Sequence, residues 1–130
     1  MAFVSAPLLH SWFRTGSLQI SDDFEPVRLI GAVLMVGITE ELVFRGFLLN
    51  GLLQKMKKEL AIATDAILFT LIHYPIWIYF GFDLMTILTS SVAVLVVSVV
   101  FALSFIKTKT ILAPIAMHMV YNLLFNLFSS

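Results

Sequence analysis

Residues 84–106 read LMTILTSSVAVLVVSVVFALSFI, from Leu84 to Ile106, without a single Asp, Glu, Lys or Arg. At about 1.5 Å per residue, a helix of that length crosses a hydrocarbon core of about 30 Å. Val92, Val94, Val96, Val97, Val99 and Val100 would favour a strand in water. In lipid, every backbone N–H and C=O must be paired within the segment, so the stretch is predicted to be a helix. Strict apolar/polar alternation over short segments, the mark of a membrane β-barrel, is missing.

The chain on either side repeats this pattern. Apolar runs span 29–53 and 60–80 before it and 110–128 after it, and the last again lacks Asp, Glu, Lys and Arg. Over the 130 residues, 60% are hydrophobic, 12% are charged and the mean hydropathy is +1.01. A soluble domain would carry about 25% charged residues, so the composition argues strongly against a soluble globular or disordered chain. Zero net charge removes the basic face that nucleic acid requires. No cysteine is present, which removes disulfides, Cys-zinc sites and thiol catalysis. The expectation is an all-α, polytopic membrane helix bundle of about four transmembrane helices, forming one unit over residues 26–130. Residues 1–25 are expected to be an interfacial segment, marked by Trp12, Phe13 and Arg14, or the remnant of a preceding helix. Their apolar start lacks the features of a signal peptide.

Charge predicts the orientation. Lys55, Lys57 and Lys58 fall in loop 54–60, and Lys107 and Lys109 in loop 107–110. An alternating path puts both loops on one side, which the positive-inside rule makes cytoplasmic. Asp83 then lies outside. Trp77, Tyr79 and Phe80 fit an outer aromatic belt or plain lipid-facing bulk.

Glu40, Glu41 and Arg45 interrupt the first span near its middle. Fourteen Leu, Ile, Val and Phe residues in 29–53 contribute roughly −4 to −8 kcal/mol to insertion, against roughly +7 to +10 for three central charges. Such charges need partners inside a bundle or a watered cavity. Glu41 and Arg45 are spaced i,i+4 with the acid first, the favourable order for a same-face pair. Glu40 has no cation one turn away and is therefore spare. The second span carries Phe69 and His73, followed by Pro75, which frees a backbone carbonyl and favours a kink. Asp65 is expected near the cytoplasmic interface. The fourth span carries His118 and Asn122 on one face, a line that Asn126 continues.

Depth joins these groups. Measured from the cytoplasmic helix ends, Glu40 lies at roughly 21 Å, His73 at 20 Å, Asn122 at 18 Å and His118 at 12 Å. A carboxylate, two imidazoles and a carboxamide in one slab suit hydrolysis by activated water. Glu40 can take the water's proton while His73 orients the water. His118 and Asn122 can supply donors to the oxyanion. Neither a GxSxG elbow nor an HExxH motif is present.

Glu40-Glu41 with Arg45, Phe69 with His73, and His118 with Asn122 resemble the EExxxR, FxxxH and HxxxN motifs of the CPBP family. This family comprises CAAX prenyl protease 2, bacteriocin-processing enzymes and the ABI group of intramembrane endopeptidases. The motifs match in order, and the resemblance covers about residues 26–128. It implies an intramembrane endopeptidase with Glu40, His73, His118 and Asn122 as catalytic residues and Glu41 and Arg45 in support. The short loops and minimal core point to a prokaryotic cell membrane, and the glutamate-type mechanism is expected to use no cofactor. The substrate would be a peptide or protein, lipidated as in CAAX processing or a bacteriocin leader. Family members usually have more helices, so the chain is expected to be a fragment or a shortened relative, and oligomerisation is open. Two alternatives use the same residues: a zinc metalloprotease with Glu40, His73 and His118 as ligands, and a non-catalytic scaffold or immunity protein.

Overall fold

The computed structural model describes residues 29–128. The expectations for the N-terminal segment, with Trp12, Phe13, Arg14 and the boundary after residue 25, lie outside the described residues, as does the side chain of Asn126. All regular structure among the described residues is helical.

Helix α1 runs without interruption through Leu29–Met35, Val36–Glu41, Leu42–Leu49 and Asn50–Leu53. Its first and third stretches are wound in the wider π fashion, a rare winding that is frequent at functional sites. The second π stretch starts directly after the Glu40-Glu41 doublet. Helix α2, Lys58–Leu71, ends where the sequence predicts a kink. Pro75 has no N–H to offer the Leu71 carbonyl. The chain turns at Ile72 and His73, with the His73 N–H donating to the Thr70 carbonyl at 3.1 Å. It restarts as α3, Tyr74–Tyr79, with Pro75 in the first turn, where a missing N–H is harmless. Helix α4 is Leu84–Thr108. Asp83 caps it by accepting from the Thr86 N–H at 2.8 Å and the Thr86 hydroxyl at 3.1 Å. These bonds hold the exposed Asp83 carboxyl below its usual range. At the other end Lys109 takes a left-handed conformation, φ 56°, which ends the helix. Helix α5 is Leu112–Phe128.

The four long helices close a ring: α1 packs on α2 and α5, and α4 packs on the same two helices. The buried face of α1 is Val33, Gly37, Glu41, Phe44, Arg45 and Leu49, at helical spacing. Ile30, Met35, Leu42, Val43 and Phe47 of the same helix face outward. The other helices repeat this inversion. Asp65, Ser98, His118 and Asn122 point inward, while Leu71, Leu95, Val96 and Val120 are exposed. Polar groups inside and large apolar groups outside suit a lipid solvent, since in water such a surface would associate. By length and composition, Lys58–Tyr79 and Leu84–Thr108 can each cross a membrane, whereas Leu112–Phe125 is a shorter apolar helix.

Two apolar clusters hold the ring. Phe44, Phe69, Trp77 and Val94 form one, and Leu49, Ala61, Ile62 and Ala102 the other. Trp77, a candidate for the outer belt, is instead fully buried, while Tyr79 and Phe80 are exposed. The turn before α3 swings the indole back against α1 and α4.

Candidate active site

Close approach of α1 and α5 makes the site. A Cβ on Gly37 would lie 3.2 Å from Met119 Cγ and 3.6 Å from the Met119 backbone nitrogen. The absence of a side chain there lets α5 bring His118 against the acidic doublet one turn along α1. The His118 ring then bridges both acids. Nδ1 lies 2.8 Å from Glu41 Oε1, and Nε2 lies 3.8 Å from Glu40 Oε2.

Glu41 and Arg45 pair as their spacing predicts, Nη1 donating to Oε1 at 3.0 Å, with both side chains fully buried. Arg45 Nη2 donates to the Ser98 carbonyl at 2.9 Å and to the Ser98 hydroxyl at 2.6 Å. The guanidinium lies over the Phe69 ring, 4.6 Å from its centroid, so the Phe of FxxxH supports the Arg of EExxxR. Glu40, by contrast, is partly open and forms no ion pair with Arg45 among the described residues.

Both histidines are oriented through Nδ1. His73 Nδ1–H donates to the Phe69 carbonyl at 2.7 Å, and His118 Nδ1–H donates to Glu41. Carbonyl and carboxylate oxygens only accept, so each ring keeps Nε2 for the cleft. There Nε2 accepts a proton when the ring is neutral and donates when it is protonated. Phe69 lies between the rings, its centroid 5.1 Å from His73 and 6.1 Å from His118.

Glu40, His73, His118 and Asn122 line one cleft of about 460 Å³, counted with its open mouth. Its other walls are apolar and come from Val94, Val97 and Phe101 of α4 and Phe125 of α5, with Tyr121 beside Asn122. The depth coincidence predicts a shared slab, and these four residues line the same cleft. Asp65 departs from expectation. It is fully buried, with Oδ2 3.6 Å from Arg45 Nε. Its spacing of four from Phe69, itself four from His73, is the signal that places it on the same helix face. Ser98, the other partner of Arg45, carries no comparable sequence signal.

The zinc alternative needs Glu40, His73 and His118 around one ion. Among the described residues no three His, Asp or Glu side chains converge within reach of one metal ion.

A sequence profile for type II CAAX prenyl endopeptidases, Rce1-like, matches residues 23–124. The chain belongs to the Rce1-like family. The match covers all seven motif residues and supports the CPBP kinship expected from them. No curated protein and no solved structure gives a significant match. An Rce1-like chain is of the CAAX-type membrane protease class. Together with the two long apolar helices, this makes it an integral membrane protein.

Proposed function

We propose that this Rce1-like chain hydrolyses peptide bonds in or beside the membrane with a water activated by Glu40. The observation that carries the reading is the convergence of Glu40, His73, His118 and Asn122 on one cleft, with His118 Nε2 3.8 Å from Glu40 Oε2. A partly open carboxylate beside a deeply buried, already paired one suits a general base. Glu40 takes a proton from water as the oxygen attacks the scissile carbonyl carbon, and His73 Nε2 orients that water. The carbonyl oxygen becomes an oxyanion, to which Asn122 and protonated His118 donate. The C–N bond then breaks, and Glu40 passes its proton to the leaving amine. Glu41 and Arg45 do not meet the substrate; they hold the His118 ring. Besides that water, each proposed step uses protein groups alone.

In this reading all four long helices span the bilayer of a prokaryotic cell, with loops 54–60 and 107–110 in the cytoplasm. The apolar wall from Val94, Val97, Phe101 and Phe125 suits a lipidated peptide or an apolar leader segment. The test is cleavage by the full chain in lipid vesicles. Substrates are a farnesylated peptide ending in Cys-aliphatic-aliphatic-X and a bacteriocin-leader peptide. Glu40→Ala and His73→Ala are expected to insert and to abolish cleavage, and chelators to leave the rate unchanged. Cleavage at the unsubstituted rate by both variants would overturn the proposal. A biological role that survives Glu40→Gln would favour the scaffold alternative.

A further inference from the structure

Among the described residues, Asp65 is the one fully buried acid that the reaction above does not use. Neither of its oxygens has a hydrogen-bond partner, and Arg45 Nε, also without one, lies 3.6 Å from Oδ2. The remaining faces of the guanidinium are committed to Glu41 and Ser98. Glu41 and Arg45 alone would make a neutral pair. Asp65 adds a second buried carboxylate to one guanidinium, which packing does not require and desolvation penalises. Along α2 it stands one turn before Phe69, whose ring lies beneath the same guanidinium, and two turns before His73. A continuous chain of contacts therefore runs from Asp65 through Arg45 and Glu41 to His118, at 3.6, 3.0 and 2.8 Å.

From this geometry we infer that Asp65 is a positioning residue. It clamps Arg45 at Nε while Glu41 holds Nη1, and it thereby fixes the Glu41 carboxylate that orients the His118 ring. The inference rests on the hydrolytic reading for its effect on rate. Without Asp65, Arg45 keeps Glu41 and Ser98, so the bundle retains a neutral pair and folds. The guanidinium loses a lateral restraint, and the His118 ring loses its fixed direction.

Two measurements on the full chain test it. In vesicles, with the farnesylated peptide, Asp65→Ala and Asp65→Asn are expected to lower kcat by about 10- to 100-fold with KM within about twofold. A residue that only supported folding would reduce the amount of folded protein and leave kcat per folded molecule intact. In detergent, Arg45→Gln leaves Glu41 and Asp65 without a cation between them. Adding Asp65→Asn to Arg45→Gln is expected to raise the melting temperature above that of Arg45→Gln alone. An Asp65→Ala kcat within about twofold of the unsubstituted chain, or a double variant no more heat-resistant than Arg45→Gln, would overturn the inference. If the unsubstituted chain cleaves nothing, the hydrolytic reading fails, while the melting comparison still reads the coupling of Asp65 to Arg45.

Discussion

His118 Nδ1 lies 2.8 Å from Glu41 Oε1 across 77 positions of sequence. This bond ties the first and last described helices together and gives Glu41 two donors, His118 from α5 and Arg45 from its own helix. It also turns Nε2 of the ring toward Glu40. The two adjacent acids thus divide one imidazole between them, one holding the ring and the other facing its free nitrogen.

The division predicts opposite responses to substitution. Arg45→Met leaves Glu41 and Asp65 buried without their cation and is expected to destabilise by about 3–5 kcal/mol. Glu40→Gln removes a partly open carboxylate that lacks a hydrogen-bond partner at Oε2. It is expected to melt within a few degrees of the unsubstituted chain and to lose cleavage by about 100-fold or more. Thermal melting in detergent, paired with the peptide assay, checks both.

Asn122 lines the cleft from α5. As an oxyanion donor it would contribute only once the carbonyl has been attacked. Asn122→Ala is therefore expected to lower kcat by about 100- to 1000-fold with little change in KM. A rise in KM at constant kcat would mark Asn122 as a binding residue instead.

At Gly37, α1 and α5 approach each other beside the site. The neighbour there is the flexible Met119 side chain, whose Cγ would lie 3.2 Å from a Cβ added at this position. Gly37→Leu is expected to cost about 1–3 kcal/mol through overpacking and to separate His118 from the acids, lowering cleavage. Met119→Ala opens space at that contact, so the double variant should recover part of both losses. Equal melting of the single and double variants would show that the contact does not set the helix spacing.

Asp83 titrates outside the spans. Its folded-state pKa is depressed by the Thr86 N–H and hydroxyl, so the cap stabilises α4 above the ordinary aspartate pKa of about 3.9 and fades as pH falls through the lower folded value. Asp83→Ala should melt below the unsubstituted chain at neutral pH. The two melting curves should converge in strong acid, and a gap independent of pH would show that the carboxylate charge is not its source.

Much of the site is legible in the residues alone. The Glu41–Arg45 pair follows from i,i+4 spacing, and the break at Ile72–His73 follows from Pro75. Asp65 and Trp77 are not legible in this way. Counting residues puts Asp65 near an interface, but the rotation of α2 about its axis turns it onto Arg45. Trp77 depends on how α3 leaves the turn, and that direction is set by the cavity its indole fills beside Phe44 and Phe69.

By itself the sequence determined where the helices run and which polar side chains share a helix face, because hydropathy, proline and helical spacing act along one chain. Only the tertiary structure decided which groups touch. Helix rotation and the Gly37–Met119 approach are products of packing between segments far apart in sequence, and a Glu–His bond at 2.8 Å requires both to be set together.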